Sequence, residues 1–315
     1  MDDVFSPNPE APVLLIGAAS QDIVGRLRYD LNSGTSNPSH IRSSFGGAAR
    51  NVAENLVRLG QPATLLSVVG EDSIGDKLLE QVVAAGVDTS YTLRATQRPT
   101  SSYLAVVDLK GKLQYALDDM RAISALTPAY LEENAHLFDE ASLLFVDANL
   151  SKETLRKAIT LAHQAGIPIC GDPTSTVLAS RFKVHLSRLS LFTPNMAEAE
   201  ILCGCFPFLS GLQRGLESAK SLVALGVDLA IISLADLGVC YATSETSGQV
   251  PALRTHIVDP TGGGDALTAA VIFALLNEIP LDDAMRLGVS AASLTLRYQG
   301  AVVPDLSLQK LYDQW

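Results

Sequence analysis

Cysteine is scarce in this chain, and the four present (Cys170, Cys203, Cys205 and Cys240) stand at spacings that fit neither a zinc site nor a redox pair. Four buried thiols in a reducing cytoplasm is the expectation that follows. The five histidines stand singly, which leaves no histidine-based metal cluster. Basic residues are outnumbered, 23 against 34 acidic ones, for a net charge of −11. That balance removes any general attraction for nucleic-acid phosphates or anionic membranes. No apolar run is long enough to span a bilayer. The acidic start Met1-Asp2-Asp3 lacks the basic region of a secretory signal and reads as a short lead. A phosphate-bearing ligand would have to be held by local backbone dipoles and a metal, because the global charge works against it.

What is present is apolar material for a large core: 47% of 315 residues are hydrophobic. Short apolar runs alternate with helical periodicity. Strands are expected at Val13–Ile16, Ala63–Val69, Leu143–Val146, Ile167–Cys170 and Leu229–Ile232, with amphipathic helices such as Ser151–Ala165 and Leu216–Leu225 between them. This pattern predicts one doubly wound α/β domain over residues 1–315, its sheet mostly parallel and covered by helices on both faces. Thr100–Val107 and Leu113–Leu117 flank the turn Asp108-Leu109-Lys110-Gly111 and read as a hairpin. With an extended stretch at Asp22–Leu31, it predicts a small antiparallel flap from segments near 22–45 and 98–120. Ligands of doubly wound sheets sit beyond the carboxyl ends of the strands.

Two glycine motifs carry the chemistry. Near the C-terminus, Val258-Asp259-Pro260-Thr261-Gly262-Gly263-Gly264-Asp265 joins an expected strand at Arg254–Val258 to an apolar helix at Asp265–Asn277. Glycine amides at a helix entrance can approach an anion closely, where the helix dipole adds positive potential. That suits a phosphoryl group in transit, and a side chain at Gly263 would obstruct it. Asp265 reads either as a helix N-cap or as a carboxylate that takes a proton from an acceptor hydroxyl; the dipole should keep it ionised. Near the N-terminus, Ser44-Phe45-Gly46-Gly47-Ala48-Ala49-Arg50-Asn51 opens a second helix, ending at Gly60. Arg50 and Glu54 read as an i,i+4 surface pair, while Asn51 can point at a ligand lying against Gly46 and Gly47. Asn195 and Glu198 lie one turn apart after Pro194, which suits either a helix start or water-mediated Mg²⁺ binding.

Together the two motifs resemble the signatures of the PfkB (ribokinase-like) carbohydrate kinase family, over nearly the whole chain. The resemblance implies an α/β domain with a β-sheet lid, and transfer of the ATP γ-phosphate, with Mg²⁺, to a hydroxymethyl group of a small nucleoside or sugar. By position, Asp265 matches the family's base, and Gly262, Gly263 and Gly264 its anion hole. Asp22, Gly46, Gly47, Asn51 and Asn149 match substrate positions. Asn195, Ser233, Gly238 and Thr261 match nucleotide positions, with Ala235 standing where a glycine is usual. Glu198 and Asp172 match Mg²⁺ positions, acting through water. Asp259 and Gly300, with Thr261, lie where some relatives bind a monovalent cation such as K⁺. A homodimer is a further expectation. Arg50 before Asn51, Gly34–Pro38 and Ala116–Met120 look most like the pseudouridine kinases of this family, which implies 5′-phosphorylation of a C-nucleoside. Ser36, Asn37, Ser102 and Tyr103 would then meet the base. The alternatives are a ribose or ketose kinase and a catalytically silent nucleoside- or sugar-binding protein.

Overall fold

The computed structural model describes residues 8–315; the acidic start Met1–Asp3 lies outside them. In chain order the elements are β1 (Val13–Ile16), β2 (Ser20–Leu27), β3 (Ser39–Gly46), α1 (Ala48–Leu59), β4 (Ala63–Leu66), β5 (Val68–Gly70), α2 (Ser73–Ala85), β6 (Leu93–Ala95), β7 (Ser101–Val107) and β8 (Leu113–Asp119). There follow α3 (Pro128–Glu133), α4 (His136–Glu140), β9 (Leu143–Asp147), α5 (Lys152–Ala165), β10 (Ile169–Asp172), β11 (Leu191–Phe192), α6 (Met196–Cys203), α7 (Gly211–Ala224) and β12 (Leu229–Ser233). The chain ends with β13 (Val239–Ala242), β14 (Ser247–Val250), α8 (Gly263–Leu276), α9 (Leu281–Leu296) and α10 (Leu308–Tyr312).

The main sheet has eight strands in the order β14-β13-β12-β11-β10-β9-β1-β4. It is parallel from β4 to β12 and antiparallel at the β13–β14 edge. Its central strands are buried throughout, as continuous apolar runs require when both faces are covered. Alternation along the strands divides the core. Leu15 and Phe145 pack on one face with α1, α8 and α9, whereas Leu14, Ile16, Leu144 and Val146 pack on the other with α5. The fold is therefore the doubly wound sheet that the sequence predicts. Helix α8, apolar all round, lies sandwiched between α1 and α9.

Four expectations need correction. Ala63–Val69 is two strands, because the chain breaks at Ser67, whose hydroxyl donates to the Gly17 carbonyl (2.6 Å); β5 leaves to pair with β6. Arg254–Val258 forms no strand: the Val258 and Asp259 amides both donate to the Leu296 carbonyl at the end of α9. Of the four thiols, only Cys170 and Cys240 are buried; Cys205 is exposed. The flap is mixed and not purely antiparallel. In its order β3-β2-β7-β8 the outer pairs are antiparallel, but β2 and β7 run parallel. Among the described residues no helix is long and apolar enough to cross a membrane.

Candidate active site

The site is organised from Asp147, the fully buried last residue of β9. Its Oδ2 accepts the Ala18 N–H (2.7 Å) and the Ala49 N–H (3.3 Å), and its Oδ1 accepts the Asn149 N–H (2.9 Å). One carboxylate thus ties the end of β1 to the entrance of α1 and fixes the turn that carries Asn149. Gly47 (φ 94°) sits so close to Ala18 that a Cβ would collide with its carbonyl, and a Cβ on Gly46 would strike the Asp22 carboxylate. The glycine pair is therefore what lets Asp22 reach the mouth of α1. Sequence reasoning missed Asp147, although an acid closing an apolar strand at its ligand end was a visible signal.

Arg50 and Glu54 are buried, not a surface pair: their side of α1 faces α2 and the loop 298–304, with Gln81 of α2 donating to Glu54 (3.4 Å) and Arg58 reaching the Pro304 carbonyl. The Arg50 guanidinium donates to the Phe45 carbonyl (3.1 Å) and to Asn51 Oδ1 (2.8 Å), and pairs with Glu54. Glu54 also holds Arg58 at 2.6 Å. Because Arg50 takes the Asn51 oxygen, the amide nitrogen faces the other way and donates to Asp265 Oδ2 at 2.7 Å.

Asp265 is the third residue of α8, whose N-cap is Gly262, so the N-cap alternative falls away. Gly262 adopts a left-handed conformation (φ 77°) and lies against the Ala301 carbonyl, where a Cβ would collide. Gly263 faces inward, its missing Cβ 3.3 Å from Leu296, whereas Gly264 opens onto free space. A side chain at Gly263 would thus meet Leu296, whereas one at Gly264 would enter the open space at the helix entrance. Burial pushes the Asp265 carboxyl up to about 6; Asn51 opposes this, Asp22 and Asp147 add to it, and Arg50 opposes it. Desolvation is the largest cause, and it makes Asp265 more basic than the ordinary ionised carboxylate that the helix dipole led one to expect. Asp22 is also raised to about 6 by burial, against the Ser20 hydroxyl (3.0 Å) and Arg50, with Asp259 adding to it. A carboxylate titrating near 6 is mostly ionised at neutral pH and a better base than an ordinary aspartate.

Toward β12, Asn195 caps α6 in a reciprocal capping box with Glu198 (2.9 and 3.0 Å). The box uses the one side-chain oxygen of Asn195 and one of the two on Glu198, which leaves the other Glu198 oxygen for a water-mediated cation and the Asn195 amide nitrogen as a donor. Ser233 ends β12 and bridges to Asn195. Beyond it, Ala235 (φ 52°) adopts a backbone that favours glycine, and Gly238 (φ 94°) lies hard against the Val250 carbonyl. Burial, and then Asp265, Glu198 and Asp147, push the Asp172 carboxyl well up. Among the described residues no three His, Cys, Asp or Glu side chains converge as a metal cage. This surplus of mutually repelling carboxylates fits a divalent cation held through water and phosphate oxygens.

Asp259, Thr261 and Gly300 do come together. Asp259 Oδ1 accepts the Thr261 N–H (3.1 Å) and hydroxyl (2.8 Å), and Oδ2 accepts the Gly300 N–H (3.3 Å). Arg42 of β3, which sequence reasoning passed over, brings its guanidinium to 3.5 Å from the same Oδ2.

Register places Ser44, Asp22, Tyr103 and Asp118 in one row across the small sheet, on one face. Ser102 lies on the opposite face with its hydroxyl toward the Thr100 carbonyl (3.3 Å). Asn37 spends its amide on its own loop, accepting from Asn32 N–H (2.7 Å) and donating to the Asn32 and Thr35 carbonyls (both 2.9 Å). Of the four base-reading candidates, Tyr103 is the one this row retains.

A doubly wound sheet with a carboxylate at a glycine-rich helix entrance, and a small sheet carrying a second carboxylate beside it, is the architecture of a kinase acting on a hydroxyl group. The chain belongs to the pfkB family of carbohydrate kinases, whose family model matches residues 11–307. It is a phosphotransferase with a hydroxyl acceptor, which removes the silent-binder alternative; ATP and Mg²⁺ are consistent with this membership. It is 33% identical to a pseudouridine kinase of Escherichia coli strain K12 over 94% of both chains. It is 27% identical to a guanosine-inosine kinase of Exiguobacterium acetylicum, over 93% of this chain and 97% of that one. The solved structure of Arabidopsis thaliana ribokinase complexed with ribose and ATP matches with a TM-score of 0.82 at 19% identity, covering 96% of this chain and 98% of that one; this likeness shows the fold.

Proposed function

We propose that this kinase transfers the γ-phosphate of ATP to the 5′-hydroxyl of pseudouridine. The observation that carries the reading is the 33% identity to a pseudouridine kinase across 94% of both chains. The guanosine-inosine kinase match supports a nucleoside acceptor as well. In this reading Asp22, Gly46, Gly47, Asn51 and Asn149 hold the ribose, and Asp265 takes the proton from the attacking hydroxyl. The amides at Gly262, Gly263 and Gly264 receive the charge of the phosphoryl group. Asn195, Ser233, Gly238 and Thr261 serve the nucleotide. Glu198 and Asp172 would hold Mg²⁺ through water, and the ion supplies charge neutralisation on the phosphates.

The whole chain acts as one domain, with the segments near 22–45 and 98–120 as its lid. The exposed outer face of that lid, with Ile41, Leu104, Tyr115 and Leu117, supports the homodimer expectation, and free cysteines agree with a reducing cytoplasm. For K⁺ the geometry supports a different reading: donors occupy both Asp259 oxygens, and Arg42 supplies the positive charge that a bound cation would bring. ADP release measured with pseudouridine, uridine and ribose tests the acceptor. Best turnover on ribose would transfer the assignment to the sugar-kinase alternative.

A further inference from the structure

A cavity of about 570 Å³ lies beside the machinery described above and shares Arg50 and Gly300 with it. Gln21, Ser43, Ser44 and Phe45 line it; Gln21, Ser43 and Phe45 alternate with Asp22 and Ser44, so the small sheet contributes to it mainly from the face opposite Asp22. Its other walls are α1, α2 and the loop 298–304. Three cationic side chains, Arg50, Arg58 and Lys77, line it against the single carboxylate of Glu54. A positive hollow is unexpected on a chain of net charge −11. Glu54 is shared between the two arginines, and Lys77 makes no ion pair among the described residues. Arg50 is almost wholly buried, and its Nε has no hydrogen-bond partner among the described residues. The guanidinium that lines the hollow is thus short of one acceptor. Asp72 already takes the Ile74 and Gly75 amides at the start of α2, so side chains, not the helix end, supply the attraction.

We propose that this cavity binds a small phosphate-bearing anion, and that Arg50 relays its occupancy to Asp265 through Asn51. Guanidinium and ammonium groups beside the serine hydroxyls of Ser43 and Ser73 suit a tetrahedral dianion. The volume admits inorganic phosphate or a sugar phosphate. Arg50 is the shared member, since it lines the cavity and also holds Asn51 Oδ1 at 2.8 Å.

Calorimetric titration of the full chain with inorganic phosphate, and separately with ribose 5-phosphate, tests this against chloride at matched ionic strength. Saturable binding is expected, weakened about tenfold or more in Lys77→Glu and in Arg58→Gln. In phosphate-free buffer Lys77→Glu should keep the wild-type kcat and acceptor KM, while added phosphate shifts the wild-type rate and leaves the variant's unchanged. The tighter of the two probes identifies the source of the anion. Equal affinity in wild type and both variants would place the anion at the Gly262–Gly264 turn and overturn the proposal, as would non-saturating heats.

Discussion

Asn51 and Asp265 lie 214 residues apart and meet through a 2.7 Å hydrogen bond from Nδ2 to Oδ2. The bond joins the two glycine motifs, and its direction is set from behind, where Arg50 claims the amide oxygen. The candidate base is therefore oriented by a neutral donor and balanced by one buried cation, amid the carboxylates of Asp22, Asp147 and Asp172.

Asp265→Asn should preserve the bond to Asn51, since the new side chain keeps an acceptor, yet lower kcat by about 10²-fold or more. In wild type kcat should fall on an acid limb near pH 6, because protonation of Asp265 removes the base. The same shift predicts a stability gain in the variant. The raised carboxyl means that the folded state disfavours the charge, by ~1–2 kcal/mol once solvation from the open cleft is discounted. The gain should be complete above pH 6 and vanish as pH falls toward the unfolded value, where the wild-type group is neutral in both states. Denaturant melts of the nucleotide-free protein at pH 8 and pH 4 check this. Equal stability at both pH values, or wild-type turnover, would refute the role.

Arg50→Lys retains the charge and one donor, whereas Arg50→Met retains neither. The expected order is a loss of kcat of about tenfold for Lys and about 10²-fold for Met, with acceptor KM changing less. In the methionine variant the acid limb should move to higher pH, because Arg50 opposes the upward shift of Asp265. A purely structural role would lower the melting temperature and leave the pH profile in place.

The sheet and both glycine motifs were legible because each has a local signature: continuous apolar strands, and glycine at a helix entrance. What remained hidden depends on tertiary neighbours. The Arg50–Glu54 spacing looks like a solvated pair until α2 and the loop 298–304 are brought against it. The shift of Asp265 comes from burial, which no helix-dipole argument contains. Arg42 and Asp259 are 217 positions apart by their numbers, and nothing in either segment announces their approach. The break at Ser67 was likewise invisible, because it depends on the Gly17 carbonyl of a neighbouring strand.

Gly264→Val should lower kcat by about 10²-fold with little change in melting temperature, since its side chain would enter the open space at the helix entrance, where the proposed function puts the phosphate. Gly263→Ala should instead be a packing change, its Cβ meeting Leu296 at 3.3 Å, felt in stability before turnover. Steady-state kinetics beside thermal melts separate the two. The reverse ranking would mean that the phosphate approaches from the Gly263 side.

Turnover of the wild type should change less than about twofold between K⁺, Na⁺ and tetramethylammonium buffers, because Arg42 supplies the charge beside Asp259. Arg42→Ala should create a dependence on K⁺, read as restored kcat on adding the salt. Strong K⁺ activation of the wild type would show that the guanidinium does not replace the ion.

Selectivity is the sharpest test of the acceptor. Asp22, Tyr103 and Asp118 stand in register across the small sheet, on one face. Tyr103 is half-buried between the two acids, and burial first, then both carboxylates, raise its phenol above the ordinary value. A ribose held at Asp22 would bring its base over the Tyr103 ring and toward Asp118, an exposed carboxylate able to accept an N–H. Pseudouridine offers one ring N–H that uridine lacks. A site that pairs a substrate N–H rejects the analogue without it more strongly than a pocket selecting on shape. Asp118→Ala should therefore cut kcat/KM for pseudouridine by about tenfold and leave uridine nearly unchanged, collapsing the preference between them. Tyr103→Ala should reduce both nucleosides and spare ribose. Measuring kcat/KM for the three acceptors in wild type and both variants decides the matter. A loss shared equally by pseudouridine and uridine in Asp118→Ala would show that the carboxylate does not read the extra N–H. Ribose as the best substrate of the wild type would remove the nucleoside reading altogether.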